Sequence, residues 1–252
     1  MLISLENVTM RFGGLTAVDH VTLQIREKDI CGLIGPNGAG KTTLFNMIAG
    51  YHRPSGGKIL FQDRRIDGLH PYQINNYGIA RTYQNINLFR SMTVLENVMV
   101  GRHPRLTAGI VSSVFRTPAQ RREEKELLEK SMAILRMAGL QEKAGETSKT
   151  LSYGEQRLLE ICRGVASEPK LLLLDEPAAG MTQNEKIELI EFIRHIRESG
   201  ITVLVVEHDM KMVMGLTEYI FVLNFGKLIA QGDPADIQAN PEVIKAYLGE
   251  DI

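Results

Sequence analysis

Short apolar and β-branched runs open the chain. ISLENVTM, VTLQI, ICGLIG and KILF, each bounded by turn residues, predict strands. After the last residue of ICGLIG the pattern lengthens, and KTTLFNMIAG predicts a helix stopped by Gly50. From Glu96 to about Leu151 the chain turns helical and charged, with Thr117, Pro118 and Gln120 marking a helix start and Gly139 its end. The charge run RREEKE at 121–126 lies inside that helix and is most simply its solvated face. Strands and helices then alternate. RLLEICRGVA and the segment from Thr182 to Ser199, stopped by Gly200, predict helices, and LLLLD, TVLVVE and YIFVLN predict strands. Helices between buried apolar strands imply a parallel sheet covered on both faces, so the helical stretch reads as an insertion into one α/β core.

A chain of 252 residues is long enough to bury a large core, and no internal repeat or low-complexity linker divides it. Its net charge of −1 supplies no bulk field for nucleic acid or an acidic membrane. The longest apolar runs, such as ITVLVV at 201–206, fall far short of the roughly 20 residues that span a bilayer. MLISLENVTM lacks the basic start and apolar stretch of a secretory signal, so the chain is expected to stay in the cytoplasm. Cys31 and Cys162 lie in a strand and a helix pattern without metal-like spacing, which predicts plain packing for both.

Chemistry enters with GPNGAGKT at 35–42, a complete G-x-x-x-x-G-K-[ST] loop between a predicted strand and a predicted helix. Gly35, Gly38 and Gly40 allow a tight backbone wrap whose N–H groups cradle phosphate oxygens; Lys41 pairs the β- and γ-phosphates, and the Thr42 hydroxyl is a Mg²⁺ ligand. Pro36, Asn37, Ala39 and Thr43 complete the candidate ATP-binding loop. A glycine-rich turn alone would not explain the strand and helix on either side. LLLLDEP at 171–177 ends a buried strand in two carboxylates, at the edge where parallel α/β sheets bind ligands. Asp175 is placed to hold Mg²⁺ through water, and Glu176, on the other side of the pleat, to take a proton from or orient an attacking water. Together they predict nucleotide hydrolysis.

A further stretch, LSYGEQ at 151–156, has the spacing of a capping box from Ser152 to Glu155 ahead of a helix. Such a helix start suits an anion. Thr182 and Glu185 share the same spacing.

The loop GPNGAGKTT, the glutamine in RTYQNINLF, LSYGEQ, LLLLDEP and the histidine in VVEHDM occur in the order and spacing of the nucleotide-binding subunits of ATP-binding cassette transporters, and the resemblance covers essentially the whole chain. It implies an α/β fold: a P-loop NTPase core with a parallel sheet, an N-terminal antiparallel β subdomain and an inserted α-helical subdomain. The implied division of this single domain puts the core in 1–84 and 160–235, the helical insertion with the signature in 85–159, and a C-terminal helical tail in 236–252. By the same resemblance Phe12 in MRFGG stacks on adenine, although a lone phenylalanine is more often core. Gln84 senses Mg²⁺ and the attacking water and opens the insertion that faces the membrane partner. His208 contacts the γ-phosphate, and AAGMT at 178–182 is a dimer-facing loop. Ser152, Tyr153, Gly154 and Glu155 form the signature, which closes over the ATP of a second, head-to-tail subunit. Two departures stand out: Thr182 occupies a position where aspartate is frequent, and Tyr153 and Glu155 alter the signature.

A narrower resemblance, to the ATP-binding subunits of branched-chain amino acid importers, rests on LSYGEQRLLEICR, LLLLDEPAAGM, VVEHDMKMVM, the tail PEVIKAYLGED and the long insertion beginning VGRHPRL. It implies transmembrane permease subunits, a second cassette ATPase and, indirectly, a periplasmic or extracellular solute-binding protein as partners, with no nucleic acid. It also implies a position on the cytoplasmic face of the membrane, reached through the permeases. Related importers of urea, aromatic acids or other small solutes share the resemblance, and the main rival transport reading is the ATPase of a lipopolysaccharide exporter. A P-loop small-molecule kinase leaves LSYGEQ and His208 unexplained, and a cassette acting on DNA or the ribosome would carry a coiled-coil insertion, a second cassette or a basic surface.

Overall fold

In a computed structural model, residues 1–82, 86–102 and 118–248 are described, with side chains over 118–121 and at 248 excepted. The runs ISLENVTM, VTLQI and KILF form strands, as their sequence predicts. β1 (Ile3–Phe12) pairs antiparallel with β2 (Leu15–Ile25) and with β4 (Gly56–Phe61), which pairs with the short β5 (Arg64–Arg65). The order is β2-β1-β4-β5. Register shifts between Leu5 and Arg11 bend β1, as extra residues in an antiparallel ladder do.

The second sheet has the order β10-β9-β3-β8-β7-β6 among the described residues. β3 (Ile30–Ile34), β7 (Leu171–Asp175) and β8 (Thr202–Val206) are buried at every position, because both faces are covered. Their side chains alternate between two cores: Leu171, Leu173, Leu204 and Val206 face one, Leu172, Leu174, Val203 and Val205 the other. Each such leucine, fully buried, contributes about 1.5–3 kcal/mol of transfer free energy. β6 (Ile79–Arg81) and β9 (Tyr219–Asn224) continue the parallel pairing, and β10 (Lys227–Gly232) closes the edge antiparallel to β9.

Helices complete the layers. α1 (Lys41–Ile48) follows β3 and ends just before Gly50; α2 (Pro71–Tyr77) precedes β6. α3 (Val94–Gly101) starts two residues ahead of Glu96, just after the N-cap Thr93, whose hydroxyl accepts from the N–H of Glu96. α4 (Pro118–Met137) and α5 (Tyr153–Ala166) follow, then α6 (Gln183–Glu198), α7 (Met210–Leu216), α8 (Pro234–Ala239) and α9 (Pro241–Leu248). Two divisions read from the sequence fall inside elements. α5 runs unbroken across positions 159 and 160, because Leu158, Leu159, Ile161 and Cys162 lie along one apolar stripe that packs with Leu172 and Leu174 of β7. α8 begins at Pro234, two residues before the expected tail.

Cys31 and Cys162 are packed in the core; burial pushes the Cys31 thiol up to about 12 and that of Cys162 up as well, so neither is a nucleophile. Among the described residues no helix is long and apolar enough to cross a membrane.

Candidate active site

The loop from Gly35 to Gly40 joins the end of β3 to the start of α1. Gly35 sits at φ +148°, and a Cβ there would meet the carbonyl oxygen of Leu223 at 2.1 Å, so the turn leaves room for glycine only. α1 has Gly40 as its N-cap and no side-chain cap, which leaves its first N–H groups and the positive helix end directed at the loop. Lys41 is folded back: its Nζ donates to the carbonyls of Gly35 at 2.7 Å and Pro36 at 3.0 Å. Burial lowers its pKa, while the charges of Glu176 and Asp175 act in the opposite sense.

A cleft of about 470 Å³ opens beside this loop. Asn37, Gly38, Ala39, Gly40, Lys41, Thr42 and Thr43 form its floor, and Phe12, Glu176 and His208 stand on its walls. Phe12 is 43% exposed and meets His52 edge to face, so it is a surface aromatic rather than a core residue. Gly35 and Pro36 hold Lys41 from behind.

Asp175 and Glu176 part company at the end of β7. Glu176 has a left-handed backbone, φ +48°, pinned by its N–H to the carbonyl of Val206 at 2.9 Å. Strain of this kind in a non-glycine residue persists where the surroundings over-determine it. Its Oε1 lies 2.8 Å from Nε2 of His208. Asp175 is buried and accepts from Nη2 of Arg81 at 2.8 Å. Gln84 lies outside the described residues.

Several residues that shape the site were not singled out by the sequence patterns. Arg81, at the end of β6, pairs with Asp175. Glu207 is buried, and its carboxylate accepts from the N–H of Ala178 at 2.7 Å and of His208 at 3.1 Å. It thereby ties the loop after Glu176 to the backbone of His208. Burial raises its pKa. Phe225, 86% exposed at the turn between β9 and β10, also lines the cleft, and the neighbouring Gly226 donates its N–H to the carbonyl of Ala39 at 3.0 Å. Legible signals existed for the two charged residues: each ends an otherwise apolar run, in GIAR and ITVLVVE.

Ser152, Tyr153, Gly154 and Glu155 do not line the cleft of their own chain. They open α5, where the Ser152 hydroxyl accepts from the N–H of Glu155 at 3.2 Å and the Glu155 carboxylate accepts from the N–H of Ser152 at 2.9 Å. Thr182 and Glu185 make the same reciprocal box at α6.

The arrangement is a glycine-rich loop at a helix start, with a carboxylate and an imidazole in contact on the wall of the cleft beside it. The family model described as "ABC transporter" matches residues 18–179, and one described as "Branched-chain amino acid ATP-binding cassette transporter" matches residues 227–252. The chain is 47% identical over 250 residues to the high-affinity branched-chain amino acid transport ATP-binding protein LivG of Salmonella typhimurium, covering 99% of this chain and 98% of that protein. It is 45% identical to the protein BraF of Pseudomonas aeruginosa, which carries the same description, with the same coverage. Among solved structures, the ADP conformation of MJ1267, an ATP-binding cassette of an ABC transporter, is 30% identical and superposes with a TM-score of 0.85 over 99% of both chains. The cleft, the paired carboxylates and these likenesses meet in one conclusion: the chain belongs to the ABC transporter family, among its ATP-binding ATPases.

Proposed function

We propose that this chain hydrolyses ATP to drive an importer of branched-chain amino acids, working at the cytoplasmic face of the membrane through permease subunits and as one half of a cassette dimer. The observation that carries this reading is the pair Glu176 and His208, 2.8 Å apart on the wall of the cleft whose floor is the phosphate loop. The choice of solute is supported by the descriptions of the LivG and BraF proteins and by the C-terminal family match. A second cassette, identical or not, and a solute-binding protein outside the membrane complete the proposed assembly.

In this scheme the ATP phosphates lie against the N–H groups of Asn37 to Thr43 and the start of α1, and Lys41 exchanges its two carbonyl partners for phosphate oxygens. Phe12 offers its exposed ring to adenine. Glu176 takes the proton of the attacking water, a role worth about 10²–10⁴-fold in rate. His208 orients the Glu176 carboxylate and reaches the γ-phosphate. Thr42 and Asp175 are hard oxygen donors of the kind that, with substrate phosphates, hold Mg²⁺, and they fit that ion. When bound, Mg²⁺ neutralises charge on the β- and γ-oxygens. Gln84 is assigned to the same ion and to the water on the resemblance alone. Ser152, Tyr153, Gly154 and Glu155 close over the γ-phosphate held by the partner cassette.

Uptake into vesicles containing the chain, its permeases and its solute-binding protein tests the reading. ATP-dependent uptake of leucine, isoleucine or valine is expected. Solute-stimulated ATP hydrolysis without uptake of any of the three overturns the choice of solute and leaves the ATPase role standing.

A further inference from the structure

Arg81 makes an interaction that its place in the sheet does not require. Its Nη2 donates to Oδ2 of Asp175 at 2.8 Å, with the two side chains only 12% and 5% exposed, and its Nη1 donates to Oδ1 of Asn46 on α1. The guanidinium also lies over the rings of Phe45 and Tyr51, 5.9 and 5.5 Å from their centroids. Four contacts from three parts of the chain therefore fix the fork in one orientation. Buried ion pairs of this kind contribute little net stability compared with apolar replacements, because desolvation offsets the attraction. Fold stability alone gives no reason for a guanidinium here.

The carboxylate at its end has a different need. The last torsion of an aspartate is soft and roughly two-fold, so a carboxylate held only by its backbone samples a broad range of planes. A donor fixed on one oxygen removes that freedom. We propose that Arg81 is a positioning residue for the nucleotide-bound metal ion: by holding Oδ2 of Asp175 it sets the carboxylate plane and leaves the other oxygen for the hydration shell of Mg²⁺. The inference rests on the metal role assigned to Asp175 under the proposed function. Because Asn46 and Phe45 belong to the helix that starts at Lys41, the same guanidinium ties that carboxylate to the element carrying the phosphate loop. Partners that orient a metal-holding carboxylate typically change metal affinity by about 10–100-fold when altered.

The test is ATP binding to the purified full chain, by calorimetric titration with Mg²⁺ and with EDTA; the ratio of the two affinities reports the metal rather than catalysis. Arg81→Lys keeps the charge and loses the fork. It is expected to shrink that ratio about tenfold or more while leaving the EDTA affinity and the melting temperature near those of the wild type. In an Asp175→Asn background, adding Arg81→Lys should change the ratio no further, as for two residues acting through one contact. An unchanged ratio in Arg81→Lys, or an equal effect in both backgrounds, overturns the proposal. If Asp175→Asn alone leaves the ratio unchanged, the metal role of Asp175 falls instead, and the inference with it. Asn46→Ala loosens the guanidinium without leaving Asp175 unpaired, and serves if Arg81→Lys does not fold. It should shrink the same ratio, and a wild-type ratio there also overturns the proposal.

Discussion

The N–H of Gly154 donates to Oε1 of Glu185 at 3.2 Å, so the start of α5 faces a carboxylate of its own chain. That carboxylate also accepts from the N–H and hydroxyl of Thr182 through Oε2, each at 2.8 Å. The helix start behind LSYGEQ and the loop AAGMT, which the sequence places apart, are thus joined through one residue. The contact is close: a Cβ at Gly154 would meet Oε1 of Glu185 at 2.4 Å.

Gly154→Asp therefore brings a side chain and a second negative charge against Glu185. We expect it to abolish ATPase activity as a homodimer, and Lys41→Ala, which empties the phosphate loop of its cation, to do the same. In mixed dimers isolated with two affinity tags, the proposed head-to-tail arrangement sets the intact loop of one variant against the intact signature of the other, and activity should partly return. A mixed dimer as silent as either parent counts against a signature acting across the interface.

Glu176→Gln should bind ATP normally and lose turnover by about 10²–10⁴-fold, the usual loss for a positioned base. Phosphate release by the assembled transporter measures the loss and nucleotide titration checks the binding. Near-normal turnover removes Glu176 from the chemistry and leaves its contact with His208 a structural one.

Phe12→Ala should weaken ATP and ADP equally, by roughly 1–3 kcal/mol if stacking on adenine resembles stacking on nucleic-acid bases. Phe12 is 43% exposed, so the substitution opens no core cavity and the melting temperature should hardly move. Unchanged affinity for both nucleotides excludes the stacking role.

Glu207 makes a pH prediction. Burial is the largest influence on it and raises its pKa above the ordinary 4.5, while the N–H groups of Ala178, His208 and Asp209 act in the opposite sense. A raised folded-state pKa means stability that is fully present below the unfolded value and lost as pH rises through the folded one. Glu207→Gln cannot ionise, so relative to wild type its melting temperature should improve as pH climbs from about 4.5 toward neutrality. The variant also gives up one acceptor for these backbone N–H groups, which sets a constant offset. The slope of the difference with pH is the measurement, and a flat or falling difference refutes the prediction.

Glu185 should behave with the opposite sign. Its bonds from the backbone and hydroxyl of Thr182 hold its carboxyl below the ordinary value of 4.5. The stability it contributes is present above the unfolded pKa and lost as pH falls through the folded one. Glu185→Gln should therefore flatten part of the acid limb of a melting-temperature profile; an unchanged acid limb argues against the capping box.

What the sequence determined by itself is the short-range physics. The capping boxes at Ser152 and Thr182, the loop GPNGAGKT and the strands LLLLD and TVLVV depend on residues within a few positions of one another, where backbone geometry is nearly invariant. Each appears in the structure where the pattern puts it. The partners of the charged groups were decided only by the tertiary structure. Arg81 reaches Asp175 across 94 positions, Glu207 reaches Ala178 across 29, and Gly154 meets Glu185 across 31. The continuity of α5 past residue 160 belongs with them, since its apolar stripe is explained by the face of β7 against which it packs. A side chain buried among apolar neighbours must find a donor or counter-charge wherever the packed sheet brings one, and that choice depends on distances through space, which no local spacing encodes.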